Sequence, residues 1–97
     1  MNVLVQSPAF SNWLNDLSDA VGKAKIIKRI FQARNGNFGD CGPVGEGVSE
    51  MRIDFGPGYR IYFMRTGMKI YLLICGGDKS SQKRDIVLAK RLAGELK

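Results

Sequence analysis

The strongest constraint on the fold of this 97-residue chain is a two-residue alternation of apolar and polar side chains that begins at Val48. The apolar positions of this period are Met51, Ile53, Phe55, Tyr59, Ile61 and Phe63. A two-residue period is typical of strands that bury one face. Gly56-Pro57-Gly58 separates the two alternating segments and predicts a tight turn. The two strands are therefore expected to be antiparallel neighbours.

Two further strands are predicted outside this pair. Residues 69–75 form a nearly continuous apolar run after the turn signal Thr66-Gly67, which favours a central strand buried on both faces. Val3-Leu4-Val5 predicts a short N-terminal strand. In residues 36–47 glycine recurs at almost every third position, so this segment is expected to be an irregular connection.

Three helices are predicted around the strands. The first begins at Ser7-Pro8, because serine caps helix N-termini and proline suits the first turn. The second follows Ser18-Asp19 and ends at Asn35-Gly36, and the third follows Ser80 or Ser81. In each helix the apolar positions are expected to face the core. They are Phe10, Trp13, Leu14 and Leu17 in the first helix, Ala20, Ala24, Ile27, Ile30 and Phe31 in the second, and Ile86, Ala89, Leu92, Ala93 and Leu96 in the third. The basic residues of the second helix are expected to point outward: Lys23, Lys25, Lys28 and Arg29. The order strand, two helices, three strands, helix predicts a single α+β domain over 1–97, with an N-terminal strand and a helical hairpin packed on an antiparallel meander and a C-terminal helix.

Composition limits the classes of function. Fifteen basic and nine acidic residues give a net charge of +6, which is typical of nucleic-acid-binding proteins. No apolar run approaches the roughly 18 residues of a membrane helix, and residues 1–10 lack the pattern of a secretion signal. The isolated Cys41 and Cys75 favour a reduced, cytoplasmic protein over a disulfide. A chain this short has little room for a large cofactor, and none is expected.

The alternation also groups a set of polar residues. Glu50, Arg52 and Asp54 lie on the strand face opposite the apolar one, and Arg60 and Tyr62 are expected on the same face of the next strand. Lys79 follows the last predicted strand. Guanidinium groups suit phosphate because their planar fork donates two parallel hydrogen bonds, and a phenol can stack on an unpaired base. These residues predict a surface that binds RNA phosphates.

The residues that are missing narrow the chemistry. The chain has no histidine, which excludes paired-imidazole ribonuclease chemistry and Ser-His or Cys-His triads. It also lacks a carboxylate cluster for two metal ions and a cysteine pair at zinc spacing. A nuclease of this composition is expected to be metal-independent, with attack of the RNA 2′-hydroxyl on the adjacent phosphate. Arginine and lysine would stabilise the developing charge, and a carboxylate or a lysine would act as base.

Two segments resemble the motifs of addiction-module killer proteins, the HigB-like branch of the RelE/ParE toxin superfamily. They are 47–63 (Gly-Val-Ser-Glu-Met-Arg-Ile-Asp-Phe-Gly-Pro-Gly-Tyr-Arg-Ile-Tyr-Phe) and 73–86 (Leu-Ile-Cys-Gly-Gly-Asp-Lys-Ser-Ser-Gln-Lys-Arg-Asp-Ile). Trp13-Leu14, Arg29-Ile30 and Gly36-Asn37-Phe38-Gly39-Asp40 extend the resemblance over nearly the whole chain.

The resemblance implies a RelE-like fold and a toxin neutralised by a helix-turn-helix antitoxin from the same operon. It also implies binding at the ribosomal A site, where RelE-type toxins cut mRNA. The family's basic functional positions match Arg52, Arg60 and Lys79. The chain departs from the pattern in having Asp54 where RelE has a second lysine, and residues near Asp85 where RelE has a base-stacking tyrosine. These departures leave the general base and acid open.

The preferred interpretation is a ribosome-dependent mRNA endoribonuclease that blocks translation. Arg52 and Arg60 would hold the scissile phosphate, Lys79 would assist the leaving 5′-oxygen, and Asp54 would act as base or orient Arg52. Tyr62 would bind RNA, and Lys83 and Arg84 would contact ribosomal RNA phosphates. The main alternative is a ParE-like toxin that inhibits DNA gyrase without cutting nucleic acid, since one fold serves both roles. A third is an RNA-binding module without activity.

Overall fold

The computed structural model describes residues 1–96 as an α+β fold with a five-stranded mixed sheet and three α-helices. The strands are β1 (Val3–Gln6), β2 (Cys41–Gly45), β3 (Val48–Ile53), β4 (Tyr59–Gly67) and β5 (Ile70–Asp78). The helices are α1 (Pro8–Asp16), α2 (Ala20–Arg34) and α3 (Gln82–Glu95), and a 3-10 turn (Lys79–Ser81) precedes α3. In this part of the chain no helix has the length and apolar content to cross a membrane.

The sheet has the strand order β1-β5-β4-β3-β2. Strands β3, β4 and β5 form the predicted antiparallel meander, and β1 pairs with β5 in parallel. The expected irregular connection over 36–47 is wrong in its second half, because residues 41–45 form the edge strand β2 against β3. Glu46 and Gly47 make the intervening turn with φ of 55° and 79°, the left-handed geometry of a tight hairpin.

Helices cover both faces of the sheet, so the fold has two cores. Helices α1 and α2 pack on the face that carries the predicted apolar period, including the fully buried Met51 and Ile61. Helix α3 packs on the other face, around Tyr62, Ile74 and Ala89. The polar face inferred from the alternation is therefore partly covered, since α3 lies over it.

The N-terminus of α1 follows the prediction. The Ser7 hydroxyl oxygen accepts a hydrogen bond from the Phe10 amide (3.1 Å), and Pro8 takes the first helical position. Phe10 and Leu14 are buried in the first core. Serine and proline thus fix where the helix begins, and the apolar spacing fixes which side faces the sheet.

In α2 the predicted inward face is wrong. Gly22, Ile26 and Ala33 are the buried residues, whereas Ala20, Ala24, Ile27 and Phe31 are exposed and Ile30 is half-buried. The helix is apolar on two sides, so periodicity alone did not identify the packed one. Close packing decides it, because a Cβ at Gly22 would lie only 2.5 Å from the ring of Tyr59. Only glycine allows α2 to approach the sheet this closely.

The start of the last helical segment differs slightly from the prediction. Ser81 takes the N-cap position of α3 as predicted, but its side chain makes no capping hydrogen bond there. The carboxylate of Asp78 caps the preceding 3-10 turn by accepting hydrogen bonds from the amides of Ser80 and Ser81. The Ser80 hydroxyl also donates a hydrogen bond to the Asp78 carboxylate. Together these bonds lower the pKa of Asp78, and the bond from the Ser80 hydroxyl contributes most. Ala89 and Ala93 are buried as expected, but Leu96 is 60% exposed.

Candidate functional site

A surface pocket of about 320 Å³ lies where the β3–β4 turn meets the end of β5. Four of its lining residues are the predicted Arg52, Asp54, Arg60 and Lys79, which the fold brings together from three separate segments. Antiparallel pairing explains this meeting, because Arg52 and Arg60 are register partners on β3 and β4. Directly opposed residues of neighbouring strands project to the same face. The remaining lining residues are Asp40, Gly56, Pro57 and Gly58.

Arg52 is held by two carboxylates. Its Nε lies 3.3 Å from Asp40 Oδ1, and its Nη1 donates to Glu50 Oε2 at 3.2 Å. The Arg52 side chain is 31% exposed, so its guanidinium is fixed in orientation while part of it stays accessible. A guanidinium held in this way is preorganised to meet an anion at the pocket surface.

Arg60 is more deeply placed, with a side chain only 12% exposed. Its Nη1 donates to the carbonyl oxygens of Gly58 (3.2 Å) and Tyr59 (3.3 Å). Its Nε is buried without a hydrogen-bond partner in residues 1–96, and Glu50 Oε1 lies 4.0 Å away. An unsatisfied buried donor is costly, and the nearby negative charge of Glu50 offsets part of that cost.

Lys79 and Asp54 complete the pocket from two turns. Lys79 directly follows β5, and its amide donates to the carbonyl oxygen of Pro57 (3.4 Å) in the β3–β4 turn. Gly58, with φ of 78°, brings this turn close, since a Cβ there would lie 3.4 Å from Lys79 Cβ and 3.5 Å from Arg60 Nη1. Asp54 lies just beyond β3 and is exposed. Lys79 is thus the most exposed cation of the site, and Asp54 joins Asp40 as an exposed carboxylate.

Glu50 connects the arginines of the site to α3, and it was not among the predicted site residues. It is 6% exposed, and its two carboxylate oxygens accept hydrogen bonds from Arg52 and from Gln82 Nε2, the latter at 2.9 and 3.3 Å. One buried carboxylate therefore joins both arginines to the first residue of α3. Its position two residues before Arg52 placed it on the correct face, but the alternation gave no sign that α3 would cover it.

Arg29 is a second residue whose role the sequence did not reveal, since it was expected to point outward. From α2 its guanidinium donates to the carbonyl oxygens of Arg52, Phe38 (2.8 Å) and Asp40 (3.2 Å). The Arg52 amide also donates to the Asp40 carbonyl oxygen at 2.8 Å. Arg29 thereby ties the segment before β2 to the end of β3 and places the Asp40 carboxylate beside Arg52.

The charge of the site is balanced. The three cations Arg52, Arg60 and Lys79 stand against the carboxylates of Asp40, Glu50 and Asp54. Such a site fixes the geometry of its guanidiniums well but has little excess positive potential of its own. Strong attraction of a polyanion would therefore require positive charge outside the pocket.

A basic surface adjoins the pocket through Lys79. The 3-10 turn and the first turn of α3 line a second concavity of about 490 Å³, which includes Lys79, Lys83 and Arg84. Lys83 and Arg84 are both exposed, and Arg84 Nε lies 3.9 Å from Asp85 Oδ1. The predicted RNA-contacting cations thus lie next to the pocket residues on one continuous surface.

Among proteins of known sequence, the chain is similar to an uncharacterized protein of Haemophilus influenzae (strain ATCC 51907 / DSM 11121 / KW20 / Rd). The two are 48% identical over 87 residues, which cover 90% of this chain and 88% of the relative. The chain belongs to the same family as this H. influenzae protein. No protein-family model matches it.

Tyr62 does not take part in the site as predicted. It is fully buried in the second core, so its ring cannot stack on an RNA base in this conformation. Burial, reinforced by the charges of Glu50 and Asp85, raises the pKa of the Tyr62 phenol above its ordinary value. Its hydroxyl has no hydrogen-bond partner within residues 1–96. Helix α3 covers the strand face at this position, which strand alternation alone could not reveal.

The two cysteines are both free, with Cys41 exposed and Cys75 buried. Burial raises the pKa of the Cys75 thiol to about 12, with a further contribution from Asp85. Within residues 1–96 no group of three or more histidine, cysteine, aspartate or glutamate side chains is arranged to hold a metal ion.

Proposed function

We propose that this protein is a toxin of the RelE/ParE superfamily with a RelE-like fold, and that it cleaves mRNA on the ribosome without a metal ion. The observation that carries the proposal is the convergence of Arg52, Arg60 and Lys79 on one pocket. Support also comes from the resemblance of segments 47–63 and 73–86 to addiction-module killer proteins. The resemblance assigns basic functional residues to the same three positions that line the pocket.

The pocket suits in-line attack of a ribose 2′-oxygen on the neighbouring phosphorus. The new bond joins the 2′-oxygen to phosphorus, the bond to the 5′-oxygen breaks, and the products are a 2′,3′-cyclic phosphate and a free 5′-hydroxyl. Arg52 and Arg60 stabilise the extra negative charge on the phosphoryl oxygens. The exposed Asp54 accepts the 2′-hydroxyl proton, and the Lys79 ammonium donates a proton to the leaving 5′-oxygen.

The balanced charge of the pocket is a reason to propose dependence on the ribosome. A site with three cations and three carboxylates binds free RNA weakly, so the ribosome would have to position the mRNA in the pocket. Lys83 and Arg84 lie beside the pocket and would contact ribosomal RNA phosphates. In this proposal the toxin acts in the cytoplasm and is neutralised by a cognate helix-turn-helix antitoxin.

The deciding experiment is inducible expression of the chain, followed by mapping of transcript 5′-ends. We expect growth arrest and new 5′-hydroxyl ends confined to translated frames. Arg60→Ala and Lys79→Ala should each abolish these ends. Lys69→Ala is the matched control, because Lys69 and Lys79 flank the two ends of β5 and only Lys79 lines the pocket.

The same experiment separates the competing functions. Growth arrest without new ends, together with loss of gyrase supercoiling in vitro, would support the non-nucleolytic ParE-like alternative. Salt-sensitive RNA binding without growth arrest would support an RNA-binding module. Full toxicity of folded Arg60→Ala and Lys79→Ala variants would refute the assignment of the site.

A further inference from the structure

Helix α2 carries a second apolar stripe on the side that faces away from the sheet. Its large members are Ile27 and Phe31, which are 51% and 62% exposed. Ala20 and Ala24 precede them and are exposed as well. The inward side of the helix is already packed through Ile26 and Ala33, so the outward stripe contributes nothing to the described core.

The spacing of this outward stripe is that of a helix-packing surface. Ala20, Ala24, Ile27 and Phe31 are separated by four, three and four residues, which places them one above another along one side of the helix. The stripe extends over about 16 Å, since a helix rises about 1.5 Å per residue. It is long enough to receive about three turns of a partner helix.

The borders of the outward stripe are basic. Lys23 and Arg34 lie on one side of it and Lys28 on the other, by the helical period of about 100° per residue. Helix α2 contains no acidic residue between Ala20 and Arg34. An apolar stripe between cations is complementary to an apolar stripe between carboxylates.

We propose that the outward face of α2 is a docking site for an acidic amphipathic helix of a partner protein. Ile27 and Phe31 would fill the holes between apolar side chains of that helix. Lys23, Lys28 and Arg34 would pair with its flanking glutamates or aspartates. The proposal does not depend on RNA cleavage, because none of these residues lines the pocket of Arg52, Arg60 and Lys79.

Two other occupants fit this face less well. A second copy of the chain would set one basic border against another, which is unfavourable. An anionic membrane would match the cations, but half of the stripe is alanine, which offers little apolar area for insertion into lipid. The same small side chains allow the backbone of a partner helix to approach closely.

The test is binding of the full chain to a synthetic helical peptide of about 21 residues, with leucine at the a and d positions of three heptads and glutamate at e and g. Fluorescence anisotropy would compare it with a scrambled peptide of the same composition. We expect saturable binding of the helical peptide and at least about tenfold weaker binding of the scrambled one. Ile27→Gln/Phe31→Gln should lower the affinity by at least about tenfold.

A charge swap gives the sharper result. The Lys23→Glu/Lys28→Glu/Arg34→Glu variant should no longer bind the peptide with glutamate at e and g. It should instead bind a peptide with lysine at these positions. Val87→Gln is the control, because Val87 is 69% exposed on α3, away from α2, and should leave affinity unchanged. Circular dichroism would verify that each variant is folded.

Several outcomes would overturn the proposal. Equal binding of helical and scrambled peptides, or full binding by Ile27→Gln/Phe31→Gln, would show that the stripe is not a helix-docking site. A dimer in sedimentation that Phe31→Gln dissociates would assign the face to a second copy instead. Binding to vesicles of anionic phospholipid, with none to either peptide, would assign it to a membrane surface.

Discussion

The guanidinium of Arg29 in α2 donates a hydrogen bond to the main-chain carbonyl oxygen of Arg52, whose own guanidinium lines the pocket shared with Arg60 and Lys79. The same guanidinium binds the carbonyl oxygens of Phe38 and Asp40. A helix on one side of the sheet thus sets the position of a side chain near the end of the inner strand β3. This link makes the pocket dependent on residues that do not reach it.

Replacement of Arg29 should weaken both the fold and the site. Arg29→Ala removes the guanidinium that donates to three carbonyl oxygens, of which only that of Asp40 keeps a second donor, the Arg52 amide, among the hydrogen bonds described above. We therefore expect the free energy of unfolding to fall by about 2 kcal/mol in urea titrations. Growth arrest on induction should fall with it, because Asp40 and Arg52 lose their common anchor. Lys28→Ala removes an exposed neighbour on the same helix and should change stability little. Equal stability of the two variants would contradict this role of Arg29.

Neutralising Glu50 should separate RNA binding from RNA cleavage. Glu50→Gln removes the negative charge between Arg52 and Arg60, so the pocket becomes more cationic and binds RNA more tightly at low salt. Cleavage should nevertheless fall, because the guanidiniums lose the carboxylate that orients them. Fluorescence anisotropy with a short single-stranded RNA and transcript 5′-end mapping measure the two effects. Weaker RNA binding by a folded Glu50→Gln variant would argue against this arrangement of charges.

The two thiols should differ sharply in reactivity. Cys75 is 3% exposed and its pKa is raised to about 12, so at about pH 7.5 it stays protonated and shielded. Cys41 is exposed. A disulfide reagent such as DTNB should therefore titrate one fast thiol in the native protein and two in denaturant, and Cys41→Ser should remove the fast phase. A fast phase that persists in Cys41→Ser would show that the second core opens readily.

A hydrogen bond between the start of α2 and the sheet should appear in the alkaline stability profile. The Tyr59 hydroxyl donates to Asp19 Oδ2 (2.7 Å), and this bond is the main cause that raises the pKa of Tyr59 to about 12. Because the pKa of Tyr59 is higher in the folded protein than in the unfolded chain, the protonated phenol stabilises the fold. This stabilisation is complete below the pKa of the unfolded chain, near 10, and is lost as the pH rises towards 12. The free energy of unfolding, measured from about pH 9 to 12, should therefore depend less steeply on pH in Tyr59→Phe.

The partner of Tyr59 supplies the control for this measurement. In an Asp19→Asn background the carboxylate charge is gone, so the effect of Tyr59→Phe on the alkaline slope should shrink. Asp19 also caps α2 through the Gly22 amide (3.0 Å), and this bond does most to lower the pKa of its carboxyl. The cap should therefore stabilise the fold above about pH 4 and weaken as the pH falls through the lowered value. An undiminished effect of Tyr59→Phe in the Asp19→Asn background would assign the raised pKa to burial.

Much of the fold followed from local patterns. The meander was predictable because the period of two from Met51 to Phe63 and the turn at Gly56-Pro57-Gly58 agree with each other. The inward face of α2 was not, because Ile26 and Ile27 make both sides of that helix apolar. Strand β2 escaped prediction because an edge strand can be built from backbone hydrogen bonds alone, without an apolar period.

The candidate site was also predictable only in part. Arg52 and Arg60 were expected together because they lie on facing strands around one turn, and Lys79 because it follows the third strand. Glu50 and Tyr62 differ from expectation because both lie beneath α3, a contact between segments distant in the chain. Sequence periodicity reports which face a residue occupies, but it does not report what later covers that face.

The parallel pairing of β1 with β5 has a consequence for how the chain is made. In the sheet, Val3–Gln6 pairs with Ile70–Asp78, so β1 has no hydrogen-bonding neighbour until residues 70–78 have been translated. Lys79 and α3 emerge later still. During its own synthesis the nascent polypeptide therefore cannot assemble the pocket lined by Arg52, Arg60 and Lys79 before residue 79 has left the ribosome.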